Sequence, residues 1–216
     1  MVQQFIPVAQ PFECKIRADL GFIIDGSEEI DDASMTKERE FVSGVVGSFG
    51  LSDEGARAGV VVGGDSSKVA IRLNEHRDAL SFGKGVASIK EVGGKMRLDE
   101  ALLLAYKQLF NTSNGARDSV PQVLTIVTSA VRLDEADGNS LYIASGPFHE
   151  AGIRVLVLVV GKNANKDKLS KITKQVDDIF YVEKFGELAA ASLRESMAKS
   201  ACKASGRYNL LNKLVV

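Results

Sequence analysis

Histidine and cysteine are scarce, with two of each among 216 residues, and this scarcity removes several chemistries at once. Two distant cysteines and no histidine cluster cannot assemble a zinc site. His76 and His149 stand apart from each other and read as surface residues rather than general bases. No Gly-x-Ser-x-Gly elbow presents a nucleophile. Gly83-Lys84-Gly85 lacks both the spacing and the Ser/Thr of a P-loop, and no Gly-x-Gly-x-x-Gly follows the first apolar strand. An excess of charge is missing too: 27 basic residues face 28 acidic ones, a net of −1. Such a balance gives no field for tracking a nucleic-acid backbone. The longest apolar runs, such as residues 155–160, fall far short of the roughly 20 residues a membrane span needs, so no membrane insertion is expected. No basic segment followed by an apolar one opens the chain, which is therefore expected to be a mature or excised segment. What is present, 45% apolar and 25% charged residues, is the composition of an ordinary globular domain.

Apolar runs and helical periodicities alternate along the chain. Residues 19–24, 58–62, 123–127, 153–160 and 179–182 read as strands, and the alternating Lys68 to Leu73 stretch as a further strand at an edge. Helical spacing predicts helices over 36–49, 78–92, 99–110, 141–151, 166–175 and 187–201, the first capped by Ser34 or Thr36. Continuous apolar strands require cover on both faces. The fold class is therefore α/β, a doubly wound, mainly parallel six-stranded sheet flanked by helices, with one antiparallel edge strand. A single domain over 14–202 is expected, with flanks at 1–13 and 203–216.

Ligands of such folds bind beyond the carboxyl ends of the strands. Three segments should converge there: Asp25-Gly26-Ser27-Glu28-Glu29, Gly93-Gly94-Lys95-Met96-Arg97, and Thr128-Ser129-Ala130. The acidic stretch from Glu28 to Asp32 reads as a solvated loop. The first strand and last helix of open α/β folds lie close together, so Cys14 and Cys202 either pair or remain two unrelated buried thiols. A bridge would mean an oxidising compartment. Asn111-Thr112-Ser113 matches the N-glycosylation pattern on an expected surface loop.

At these residues the chain resembles a von Willebrand factor type A domain. The resemblance is carried by the strand closing on Asp25-Gly26-Ser27, by Ala56-Arg57-Ala58-Gly59-Val60-Val61-Val62, and by Gly93-Gly94 leading into Ala101-Leu102. Val120-Pro121-Gln122-Val123-Leu124, Gly152-Ile153-Arg154-Val155 and Phe185-Gly186-Glu187-Leu188 complete the series. It implies a disulfide between Cys14 and Cys202, since several members join their ends in this way. It also implies a divalent cation, Mg²⁺ or Ca²⁺, held by an Asp-x-Ser-x-Ser sequence, a second-loop Thr and a third-loop Asp.

Only Asp25 and Ser27 match that ligand set. Glu29 replaces the second serine, Met96 the threonine and Ser129 the aspartate, and a thioether is a poor ligand for a hard cation. A degenerate adhesion site without a cofactor is expected, with either Lys95 or Arg97 neutralising Asp25 in place of the metal or both pointing into solvent. The resemblance implies a secreted, non-enzymatic matrix or adhesion domain in a larger multidomain chain. Its partners would be collagen-like, other matrix or cell-surface proteins. The alternatives are a structural self-assembly module, a cation-dependent adhesion domain using Asp25, Ser27 and Glu29, and a phosphate-binding enzyme on the same sheet.

Overall fold

A strand that is apolar at every position must be covered on both faces, and β1 (Asp19–Asp25) is buried along all seven residues. The computed structural model describes residues 11–162 and 164–204, so most of both expected flanks lies outside the described residues. β1 sits inside a six-stranded sheet of order β3-β2-β1-β4-β5-β6. Its neighbours are β2 (Arg57–Gly63) and β4 (Gln122–Ser129), both parallel to it. β5 (Arg154–Val160) and β6 (Ile179–Val182) continue the parallel side. β3 (Lys68–Ile71) runs antiparallel to β2 at the opposite edge. This is the mixed, doubly wound sheet expected from the sequence.

Alternate residues of each strand feed two cores, because successive side chains point to opposite faces. Phe22, Ile24, Val60 and Val62 share one core with Phe41, Phe82 and Met197. These come from α1 (Asp32–Val46), α2 (Ala79–Ala87) and α7 (Ala191–Ala204). Ile23, Val61, Leu124 and Val157 share the other with Leu102, Phe148 and Leu169, from α3 (Leu98–Leu104), α5 (Gly138–Glu150) and α6 (Lys166–Ile172). A further short helix, α4 (Ala130–Glu135), follows β4 directly.

Side-chain caps decide where several helices begin. Asp31, Asp78, Ser129, Asp137 and Asn165 each accept the backbone N–H three residues on, an interaction worth about 1 kcal/mol apiece. The Asp31 cap starts α1 four residues before the apolar periodicity suggests, and takes part of the acidic stretch out of the loop. The expected helix over 187–201 divides into a 3₁₀ segment, Phe185–Ala189, and α7. That over 99–110 divides into α3 and a π-helical turn, Ala105–Leu109.

Cys14 and Cys202 are disulfide-bonded, with Cα atoms 6.1 Å apart. Cys14 lies before β1 and donates its N–H to the Ser48 carbonyl at 2.7 Å, so the bond ties the end of α7 to the segment beside α1. The closed loop spans 188 positions, for which the chain-entropy argument gives about 5 kcal/mol. Replacing both cysteines with alanine is expected to lower the unfolding free energy in urea by about 3–5 kcal/mol. In the oxidised protein, relaxation dispersion should show no millisecond exchange along α7; exchange there should appear only after reduction.

Candidate functional site

The strand order reverses at β1, which has β2 on one side and β4 on the other, and a crevice opens beyond the carboxyl ends at such a point. Asp25 is the last residue of β1. The next residue has to be glycine: a Cβ at position 26 would lie 2.2 Å from Val62 Cγ2. Gly26 donates to the Gly63 carbonyl at 2.8 Å and accepts from Val92 and Gly93 at 2.8 and 3.2 Å, while Glu28 N–H donates to Gly94 at 3.0 Å. Gly94 has φ +62°, and a Cβ there would sit 2.0 Å from the Asp65 carboxyl. The first two loops are thereby stitched together by backbone alone.

Asp25 is 4% exposed and Ser27 fully buried. Ser27 N–H donates to Asp25 Oδ1 at 2.9 Å, whereas Ser27 Oγ has no hydrogen-bond partner. The third loop ends at Ser129, whose hydroxyl accepts from Arg132 N–H at 3.2 Å and so caps α4. This cap directs the Arg132 side chain, only 11% exposed, back across the crevice. Its Nε lies 3.7 Å from Asp25 Oδ2. Its Nη1 lies 2.9 Å from Glu29 Oε2 and 2.7 Å from Glu135 Oε2. One guanidinium thus spans three carboxylates, as its fork of fixed donors allows.

The cation facing Asp25 is therefore Arg132, and of the two expectations for Lys95 and Arg97 the structure has the solvent-facing one. Arg97 pairs outward with Glu100 at 2.7 Å, and Lys95 is exposed with its backbone N–H on Asp65 Oδ1 at 3.0 Å. Met96 is turned into the core: a Cβ on Gly63 would lie 2.3 Å from its sulfur. His76 stands edge-on to Phe82 and His149 is half-buried; burial, then the nearby Lys174, lowers the His149 pKa. Asn111 is exposed and caps the 3₁₀ turn Thr112–Asn114. That turn leads to Gly115, whose carbonyl accepts from Arg57 at the start of β2, at the sheet end opposite the crevice.

These residues do not fit the cation ligand set that Asp25 and Ser27 suggest. The threonine position is a core methionine, Ser129 caps a helix, and a guanidinium lies where a metal's charge would be needed. Among the described residues, no group of three or more His, Cys, Asp or Glu side chains could hold a metal ion.

Glu38 is a functional-site neighbour that the sequence reading missed. It projects from α1 beneath the first loop, is fully buried, and accepts the Asp25 N–H on Oε2 at 2.8 Å. Its other oxygen has no partner. Burial first, and the Asp25 carboxylate second, push its pKa well above the usual carboxylate range, against the effect of the Asp25 N–H. The folded protein thus holds a proton that the unfolded chain releases near the ordinary value of 4.5. Stability from this group is fully present below that value and is lost as pH rises toward the folded-state value. Glu38→Gln keeps an acceptor for the Asp25 N–H and removes the ionisation. Its stability advantage over wild type, measured by urea unfolding, is expected to grow between pH 5 and pH 8. An equal difference at both pH values would contradict this assignment.

The family profile described as von Willebrand factor type A domain matches residues 19–194. The human collagen alpha-5(VI) chain is 26% identical over 220 residues, covering 100% of this chain but 8% of that protein. Mouse vitrin is 27% identical over 162 residues, covering 75% of this chain and 24% of vitrin. The chain thus spans only a small part of the curated relatives it matches. Proximal thread matrix protein 1 from the mussel byssus superposes with a TM-score of 0.76 at 22% identity, over 88% of this chain and 48% of that one. The mussel protein is also known with a zinc-occupied MIDAS motif. With the sheet order, the convergent loops and this match agreeing, the chain belongs to the von Willebrand factor type A domain family.

Proposed function

We propose that this domain is an extracellular, non-enzymatic protein-interaction module of the matrix that works without a divalent cation, Arg132 supplying the positive charge at its apex. The observation that carries the reading is the guanidinium spanning Asp25 and Glu29, at 3.7 and 2.9 Å. Two carboxylates that could have recruited a metal are thereby engaged internally. The disulfide favours an oxidising compartment, and the relatives are a collagen chain and vitrin; the domain accordingly acts outside the cell. Residues 14–202 form its working unit, bounded by the disulfide, within a larger multidomain chain. Its partners are matrix or cell-surface proteins, collagen-like ones among them. Asn111 carries N-linked glycan at the pole opposite the apex, where it does not obstruct the crevice.

The structural self-assembly alternative separates from this reading by binding. Adhesion to immobilised matrix proteins is expected to be unchanged by EDTA, whereas an assembly module would instead show concentration-dependent self-association and no partner.

Calorimetric titration of the wild type with Mg²⁺, Mn²⁺ or Ca²⁺ is expected to give no stoichiometric heat. Micromolar binding that disappears in Asp25→Ala would overturn metal independence and restore a cation-dependent site on Asp25, Ser27 and Glu29. Arg132→Ala leaves a buried carboxylate without its counter-charge and is expected to destabilise the fold by about 3 kcal/mol. Millimolar Ca²⁺ or Mg²⁺ should raise the melting temperature of that variant and leave the wild type unchanged.

A further inference from the structure

Among the described residues, four of the six exposed large hydrophobics, Tyr142, Ile143, Val176 and Tyr181, collect on one side of the molecule. They line a groove of about 950 Å³ between α5, α6 and the edge strand β6. Scattered single apolar residues are normal on a surface; a contiguous set with a polar rim marks a contact site. Val176 is 84% exposed and Ile143 68%, so these side chains contribute almost nothing to the fold. Pro147 lies in the groove and within α5. Lacking an N–H, it cannot donate to the Ile143 carbonyl one turn earlier.

Charge among the residues that line this floor is one-sided, with Asp167 and Asp177 exposed nearby in sequence. Lys166, Lys171 and Lys174 line it against a single acid, Glu150. Among the described residues, none of these three lysines has a carboxylate partner. Lys171 lies 5.9 Å from the centre of the Tyr142 ring, and Lys174 reaches only the His149 carbonyl at 3.5 Å. Asp178, nearby in sequence, is buried and tied to Arg154. The groove also runs along a sheet edge, since β6 has β5 as its one strand neighbour. Ile179 and Tyr181, alternate residues of β6, both face into it.

We infer that this groove is a second binding site, separate from the apex, for an extended acidic peptide segment of another matrix protein in which Asp or Glu alternates with aliphatic or aromatic residues. Alternation suits an extended chain laid beside a strand, with apolar side chains on the floor and carboxylates at the lysine rim. A second copy of this chain is a poorer occupant. Its acidic stretch from Glu28 to Asp32 has one large apolar residue, Ile30, and that is 7% exposed. Residues 205–216 carry Arg207 and Lys213 and no acid, the wrong sign for the rim.

The test is fluorescence anisotropy with the labelled octapeptide Glu-Phe-Asp-Leu-Glu-Val-Asp-Leu. Two companions accompany it, one with lysine for every acid and one with serine for every apolar residue. The first peptide is expected to bind, and each companion at least about tenfold more weakly. Lys171→Glu and Lys174→Glu should each weaken binding about tenfold, and Val176→Asp or Ile143→Asp should abolish it. All four alter exposed side chains, so unchanged melting temperatures verify folding, and Lys95→Glu, at an exposed position on the second loop of the apex, should bind like wild type, separating this site from the apex. Equal binding of the serine companion would reduce the groove to a general anion surface and overturn the proposal. Wild-type affinity in the four variants would overturn it too, as would no binding at all. Sedimentation that shows a dimer lost in Ile143→Asp would assign the face to a second copy instead.

Discussion

A carboxylate at the end of a strand buried on both faces has to be matched by positive charge, and in this domain the match is covalent to the chain. Asp25 reaches the crevice because β1 is apolar through Ile24, and it cannot retreat without moving the centre of the sheet. Its counter-charge comes from Arg132, 3.7 Å away and held by the cap that Ser129 provides for α4. A side chain tethered in this way loses little freedom on pairing compared with an ion drawn from solution, and it does not dissociate. In the proposed metal-independent reading, the apex is set by folding rather than by the ionic composition around it.

Glu38 refines that balance from below. A second ionised carboxylate at full burial beside Asp25 would need further compensation, and there is one guanidinium for Asp25, Glu29 and Glu135. The proton retained by Glu38 avoids the conflict and leaves an acceptor for the Asp25 N–H. Ser27 Oγ, buried without a partner, is the one donor of the ligand-like set that nothing in the apex replaces.

The sheet was legible in the sequence because most of its strands are short, largely apolar runs, too short for a helix of ordinary length, and the edge strand β3 shows itself by alternation. The site was half legible. Asp25, Ser27, Met96 and Ser129 occupy the loops where spacing puts them, but the partner of Asp25 was sought on the second loop, where Lys95 and Arg97 flank the substituted threonine position. Arg132 escaped notice because α4 is six residues long and follows its strand without a turn, so the third loop looked finished at Ala130. The Ser-x-x-Arg spacing was the available signal: a hydroxyl cap places the residue three positions on at the first turn of a helix. Glu38 was passed over among the polar residues Thr36, Lys37, Arg39 and Glu40, although its place three residues before Phe41 and seven before Val45 puts it on the apolar face of α1. Its burial depends on the rotation of that helix, set by the Asp31 cap.

The disulfide carries a mechanical consequence. Cys14 and Cys202, near the two ends of the described chain, are joined with 6.1 Å between their Cα atoms. Tension pulling on both flanks therefore runs through one sulfur–sulfur bond and bypasses the 188 positions of sequence separating its ends. Neither the ladder joining β1 to β2 nor the contacts holding α7 is placed in series with the load. A load applied in that way would leave the fold of the domain outside the path of the force.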